Sequence, residues 1–134
     1  MSFSDKLITV SSDGGSLESG DNFEISLVLK DDEYSLRGKR ERIYDMFQKP
    51  QTTRRTVKVS KDWANGILNE LLSANIPLLP HEQAGWDGIF YSMTVGSCFG
   101  GATYTWWSQP PVGWEILPKV THQIIDEFSK ALSE

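Results

Sequence analysis

The lone cysteine is the first place to look for chemistry. Cys98 lies in Gly96-x-Cys98-x-Gly100, the spacing of a nucleophile elbow with a thiol in place of a hydroxyl. An elbow works by exposing its nucleophile on a tight strand-to-helix turn beside backbone donors. Here the next residues, Ala102-Thr103-Tyr104-Thr105-Trp106-Trp107, read as a strand. The pattern therefore reads as a glycine-rich hairpin loop, and a Cys-dependent enzyme is the weakest alternative. A thiol enzyme also needs a base beside the sulfur. The two histidines are His81, in a Pro-flanked loop, and His122, at the flank of a helical stripe. No C-x-x-C or H-x-x-x-H spacing exists, so no zinc site is expected. Asp31-Asp32-Glu33 lacks the alternating oxygen ligands and glycine of a calcium loop. Asp126-Glu127 falls on the polar face of a helix. No catalytic residue, metal site or cofactor is expected.

Aromatic residues are the most unusual feature. Trp86, Tyr91, Tyr104, Trp106, Trp107 and Trp114 fall within one stretch of the C-terminal half, and the chain has five Trp in all. Successive strand residues point to opposite faces, so Trp106 and Trp107 must diverge, while Tyr104 shares a face with Trp106. Rings left exposed there would stack sugars or bases, or anchor a protein interface. Core packing accounts for at least half of them. The candidate partner-binding residues are Trp86, Tyr104, Trp107, Trp114 and Glu115.

Charge is segregated along the chain. Residues 35–61 hold nine basic residues (Arg37, Lys39, Arg40, Arg42, Lys49, Arg54, Arg55, Lys58 and Lys61) against Glu41 and Asp45, a local +7. The net charge is −5, with 13 basic and 18 acidic residues, so the remainder carries −12. A solvated basic hairpin is the plainest account of the stretch. Nucleic-acid binding through Arg37, Lys39, Arg40, Arg54 and Arg55, with Tyr34 or Tyr44 for stacking, is disfavoured. A pI near 5.0 and the acidic remainder would repel phosphate.

These residues need elements to position them. Leu7–Ser11 reads as a first strand and Ser12–Asn22 as a loop. Phe23–Leu29 alternates with period two and reads as a second strand. Asp31-Asp32 turns the chain into Tyr34–Arg37, with Gly38 as an end or a bulge. Residues 39–50 fit either a short helix or a ragged strand. Thr52–Val59 alternates basic and apolar residues as a strand. The next element is a helix over about 60–74, capped by Ser60, with Trp63, Ile67, Leu68, Leu71 and Leu72 at helical spacing. Asn75 is the expected left-handed C-terminal residue. Ile89–Val95 and Ala102–Trp107 read as a hairpin. A last helix runs from about Glu115 to Leu132, with Leu117, Val120, Thr121, Ile124, Ile125, Phe128 and Leu132 as its apolar stripe and Pro118 near its first turn. The expected fold is α+β: a mainly antiparallel sheet of about five to six strands, two helices packed on one face, and a single domain over residues 1–134.

At 134 residues, 39% hydrophobic and 23% charged, the chain can bury a core. It has no signal-peptide pattern at Met1-Ser2-Phe3-Ser4-Asp5-Lys6 and no apolar run near the roughly 18 residues of a membrane span. One cysteine excludes an intrachain disulfide, and a cytoplasmic location is expected.

The run Gly85-Trp86-Asp87-Gly88, then Tyr104-Thr105-Trp106-Trp107, then Pro110-Pro111-Val112-Gly113-Trp114-Glu115 resembles a pattern in small uncharacterised bacterial proteins. In these a D-G strand, a strand ending in Trp, a Pro-rich turn and a last helix succeed one another, and some resemble toxin-immunity or inhibitor proteins. The likeness covers residues 60–134 and implies no catalytic residues. The expected function is a non-enzymatic protein-binding module, an immunity or inhibitor protein that neutralises a cognate toxin, protease or other enzyme. Its acidic residues would steer association with a basic target. A small-ligand or glycan binder using the Trp/Tyr cluster is the alternative.

Overall fold

A computed structural model describes residues 5–13, 20–43, 49, 51–78, 90–97, 100–106 and 111–132. The elements are β1 (Asp5–Asp13), β2 (Gly20–Lys30), β3 (Glu33–Ile43), β4 (Gln51–Val59), α1 (Lys61–Ser73), β5 (Phe90–Ser97), β6 (Gly100–Trp106) and α2 (Ile116–Leu132). The strands form one six-stranded sheet in the order β4-β3-β2-β1-β5-β6. Every pairing is antiparallel. The fold is α+β, as the alternation and hairpin signals predict.

Period-two alternation sorts the strands into two faces. Ile8 and Val10 of β1 stand in register with Leu27 and Ile25 of β2 and with Val95 and Met93 of β5. Leu36 and Val57 continue that row toward β4. Most of these side chains are buried, and they receive the apolar stripes of both helices. Along α2 the buried residues are Leu117, Val120, Thr121, Ile124 and Phe128, spaced to share one face. Burial of each large apolar side chain contributes roughly 1.5–3 kcal/mol. The ion pair of Lys119 with Glu70, 3.1 Å, joins α2 to α1, and Arg55 donates to the Ala131 carbonyl at 2.8 Å to tie the end of α2 to β4.

Local signals explain the element ends. Asp31 and Asp32 take positive φ, 51° and 64°, the geometry of a two-residue hairpin turn that suits the twist of its strands. Ser60 caps α1 by accepting from the Trp63 N–H at 3.1 Å. The other end differs from expectation. Ala74 leaves α1 in an extended conformation, and Asn75 is not left-handed. The Ala74 N–H donates to the Leu71 carbonyl at 3.2 Å and the Ser73 hydroxyl reaches the Glu70 carbonyl at 3.3 Å, which satisfies part of the last turn without a left-handed residue. Leu72 is 82% exposed, because Ala64, Ile67 and Leu71 hold the core-facing stripe and Leu72 lies too far round the helix.

Gly38 neither ends β3 nor forms a bulge. It pairs with Ile25 and Arg55 in mid-strand, and a Cβ there would stand 2.8 Å from the Glu24 carbonyl oxygen. Residues 39–43, whose pattern fits either helix or strand, continue β3, while 44–48 lie outside the described residues.

Candidate functional site

The expected aromatic interface resolves differently for each residue. Trp86 and Trp107 lie outside the described residues. Trp114 is only 6% exposed, its indole N–H donates to the Pro77 carbonyl at 2.9 Å, and its ring meets Tyr104 edge-on at 5.4 Å. Tyr104 is half-buried on the helix-covered face. Trp106 is buried on the same face and stacks on Tyr91 at 5.8 Å. Tyr104, Trp106 and Trp114 therefore build core. Glu115 is exposed just before α2. Backbone N–H groups of Glu115 and Gly113 hold its carboxyl below the usual carboxylate range, because they favour the charged form.

The residues that could act on a substrate are dispersed. Cys98 and His81 fall outside the described residues. The exposed His122 packs edge-on against Tyr91, ring centroids 5.4 Å apart. Ser97, which precedes Cys98, lies six residues along β5 from Tyr91, on the order of 20 Å at strand rise. A thiol–imidazole pair with His122 has no geometric support. The element after Cys98 is β6, a strand, so the helix that an elbow needs is absent at that point. Among the described residues no group of three or more His, Cys, Asp or Glu could hold a metal ion.

The opposite face of the sheet brings together a different set. Neither helix covers it. Where β2, β3 and β4 run side by side it forms an open groove of about 530 Å³, lined by Lys6, Glu24, Ser26, Arg37, Lys39, Arg54 and Thr56 among others. A smaller hollow of about 290 Å³ continues past Glu24 and Lys39 to Ser11 and Glu41. Strand alternation places these residues. Ser26, Arg37 and Thr56 form one cross-strand row, and Glu24, Lys39 and Arg54 form the next. Lys39 pairs with Glu24 at 3.7 Å, which leaves Arg54 directly opposite a lysine that already has its carboxylate. Arg37 stands diagonally beside Arg54 and is exposed. Among the described residues neither arginine has a carboxylate within ion-pair distance. Like charges directly opposite one another cost stability, and this sheet sets Lys39 opposite Arg54 in an open groove.

The basic stretch is thus split by the pleat. Arg37, Lys39, Arg54 and Lys58 face the uncovered side. Arg40 and Arg55 turn to the helix side, where the Arg40 Nε is buried without a hydrogen-bond partner. Tyr34 also turns there, its hydroxyl donating to Asn65 Oδ1 at 3.4 Å. Residues grouped for nucleic-acid binding by sequence proximity therefore do not share one surface. Sequence proximity does not point to Lys6, Glu24 and Ser26, since only cross-strand register brings them to the basic rows. The charge bias of residues 35–61 is the one signal in the sequence that marks this region. Among the described residues no helix is long and apolar enough to cross a membrane. Comparison with family models, curated proteins and solved structures finds no match to this chain.

Proposed function

We propose that this protein is a non-catalytic binding module that docks an acidic surface of a partner protein on the uncovered face of β2–β4. One observation carries the reading: Arg37, Lys39 and Arg54 line one groove, and among the described residues the only carboxylate paired with any of them is Glu24, on Lys39. A carboxylate-rich partner would relieve that repulsion and supply bidentate acceptors for both arginines. Thr56 in the same groove is exposed and adds hydrogen-bonding capacity without bulk.

The chain's net charge of −5 points toward basic targets at long range. At contact the local groove dominates, since charges beyond about 8–10 Å are screened at physiological salt. The same acidic remainder disfavours a long polyanion such as nucleic acid, which would extend past the groove. A module of this kind suits an immunity or inhibitor role, in which the bound partner is a toxin, a protease or another enzyme that presents acidic residues. The single cysteine fits a reducing compartment.

The test is titration of the isotope-labelled protein with a Glu-rich peptide, read by amide chemical shifts. The expected shifts cluster at Ser26, Arg37, Lys39, Arg54 and Thr56, weaken with salt, and vanish in the Arg37→Glu/Arg54→Glu double variant. No response, or shifts confined to the aromatic end of the sheet, would overturn the reading. A stronger response to a single-stranded oligonucleotide than to the peptide would replace the protein partner with nucleic acid.

A further inference from the structure

The hydrogen-bonding phase of the whole sheet is set by one turn. With Asp31 and Asp32 both at positive φ, Lys30 and Glu33 close a two-residue hairpin as a hydrogen-bonded pair. Alternation then assigns Phe23, Ile25, Leu27 and Leu29 to bond β1, and the register carries the phase through β1 and β5 to β6. On β6 the residues that bond β5 are Gly100, Ala102, Tyr104 and Trp106. Gly101, Thr103 and Thr105 direct their N–H and C=O groups away from the sheet. Two hydroxyl contacts agree with this phase. Thr9 with Ser26, 2.9 Å, and Thr94 with Thr103, 3.0 Å, both sit at non-hydrogen-bonded pairs, where facing side chains approach most closely.

Among the described residues β6 is an edge strand, and its residues 100–103 and 105 are exposed. Natural edges are usually guarded by charge, proline or bulges. The other edge, β4, carries Arg54, Arg55 and Lys58. β6, Gly-Gly-Ala-Thr-Tyr-Thr-Trp, carries no charge and no proline. We propose that β6 is a self-complementary docking edge through which two copies of this chain join their sheets by antiparallel strand addition. A two-fold axis at Thr103 uses all three outward residues. Thr103 faces Thr103 of the second copy, and Gly101 faces Thr105 of the second copy. On the helix side the exposed Ala102 lies opposite Tyr104 of the second copy, small against large. No like charges meet. On β4 the outward positions include Arg54 and Lys58, so the same operation would bring cations together. Seven residues fall short of the roughly 1,200–2,000 Å² of a stable interface, so the dimer is weak and depends on concentration.

The test is sedimentation equilibrium of the full chain over a wide concentration range, under reductant so that Cys98 cannot cross-link copies. Thr103→Pro removes an outward N–H and leaves the β5 ladder intact. Thr103→Lys opposes like charges across the two-fold axis. Each variant is expected to raise the dimer dissociation constant about tenfold or more, with unchanged circular dichroism. In the wild type, the Gly101, Thr103 and Thr105 amides gain exchange protection as concentration rises. A wild type that stays monomeric, or a dimer that survives both substitutions, would overturn the proposal. If Thr103→Pro fails to fold, Thr103→Lys and the amide exchange still decide. The groove lies on the far strands, so these variants keep acidic-peptide binding and the two proposals fail separately.

Discussion

The β3–β4 and β5–β6 hairpins form the two ends of the same sheet, yet they are built on opposite terms. The β5–β6 hairpin is held by what it buries. Tyr91, Met93 and Trp106 enter the core, and its outer edge is uncharged. The β3–β4 hairpin buries less. Among its described residues only Leu36 is fully buried, while Val57 and Val59 are partly covered. Its helix-free face carries Arg37, Lys39, Arg54 and Lys58 instead. One half of the sheet is thus invested in packing and leaves a bare edge. The other carries charge on its edge and sets Lys39 opposite Arg54 in an open groove.

The largest expected difference between the two hairpins lies in their core anchors. Trp106→Ala should cost about 3–5 kcal/mol, and Val57→Ala clearly less because its site is already partly solvated. Denaturant unfolding of both variants measures this. Equal losses would show that both hairpins are anchored alike.

Glycine comes next. Gly96 sits at φ +105°, and a Cβ there would lie 2.4 Å from the Gly100 carbonyl oxygen. Gly96→Ala should cost about 1–3 kcal/mol from backbone strain alone. Gly66, in α1, has nothing within 4 Å, and Gly66→Ala should stabilise by about 0.5–1 kcal/mol. Thermal melts of the two alanine variants should therefore move in opposite directions.

The smallest effect is the most telling for function. Arg54→Glu replaces a like-charge pair opposite Lys39 with an attractive one, so stability should rise by about 0.2–1 kcal/mol while acidic-peptide binding falls. A variant that loses both stability and binding would mean that Arg54 has a structural task instead.

Much of the fold is legible in the sequence because short-range chemistry settles it. The Ser60 cap, the Asp31-Asp32 turn and the stripe of α2 each depend on residues within a few positions of one another. Tyr104 and Trp106 share a face, as alternation requires, and Pro118 falls in the first turn of α2. The expectations that moved depend on more distant or competing neighbours. Asn75 has the residue type of a left-handed cap, but the Ser73 hydroxyl already serves the last turn. Trp114 has the residue type of an interface anchor, but the Pro77 carbonyl, thirty-seven positions away, takes its N–H and Tyr104 takes its ring.

The antiparallel α+β plan, the two helices and the basic segment set against an acidic remainder are all readable from the residues in order. All of these arise from periodicity, turn chemistry and composition. Only the tertiary structure decided which arginines share a surface, which tryptophans are core and which edge strand is left bare. Those outcomes depend on register between strands far apart in the chain, and a one-residue slip in register would turn every side chain to the other face.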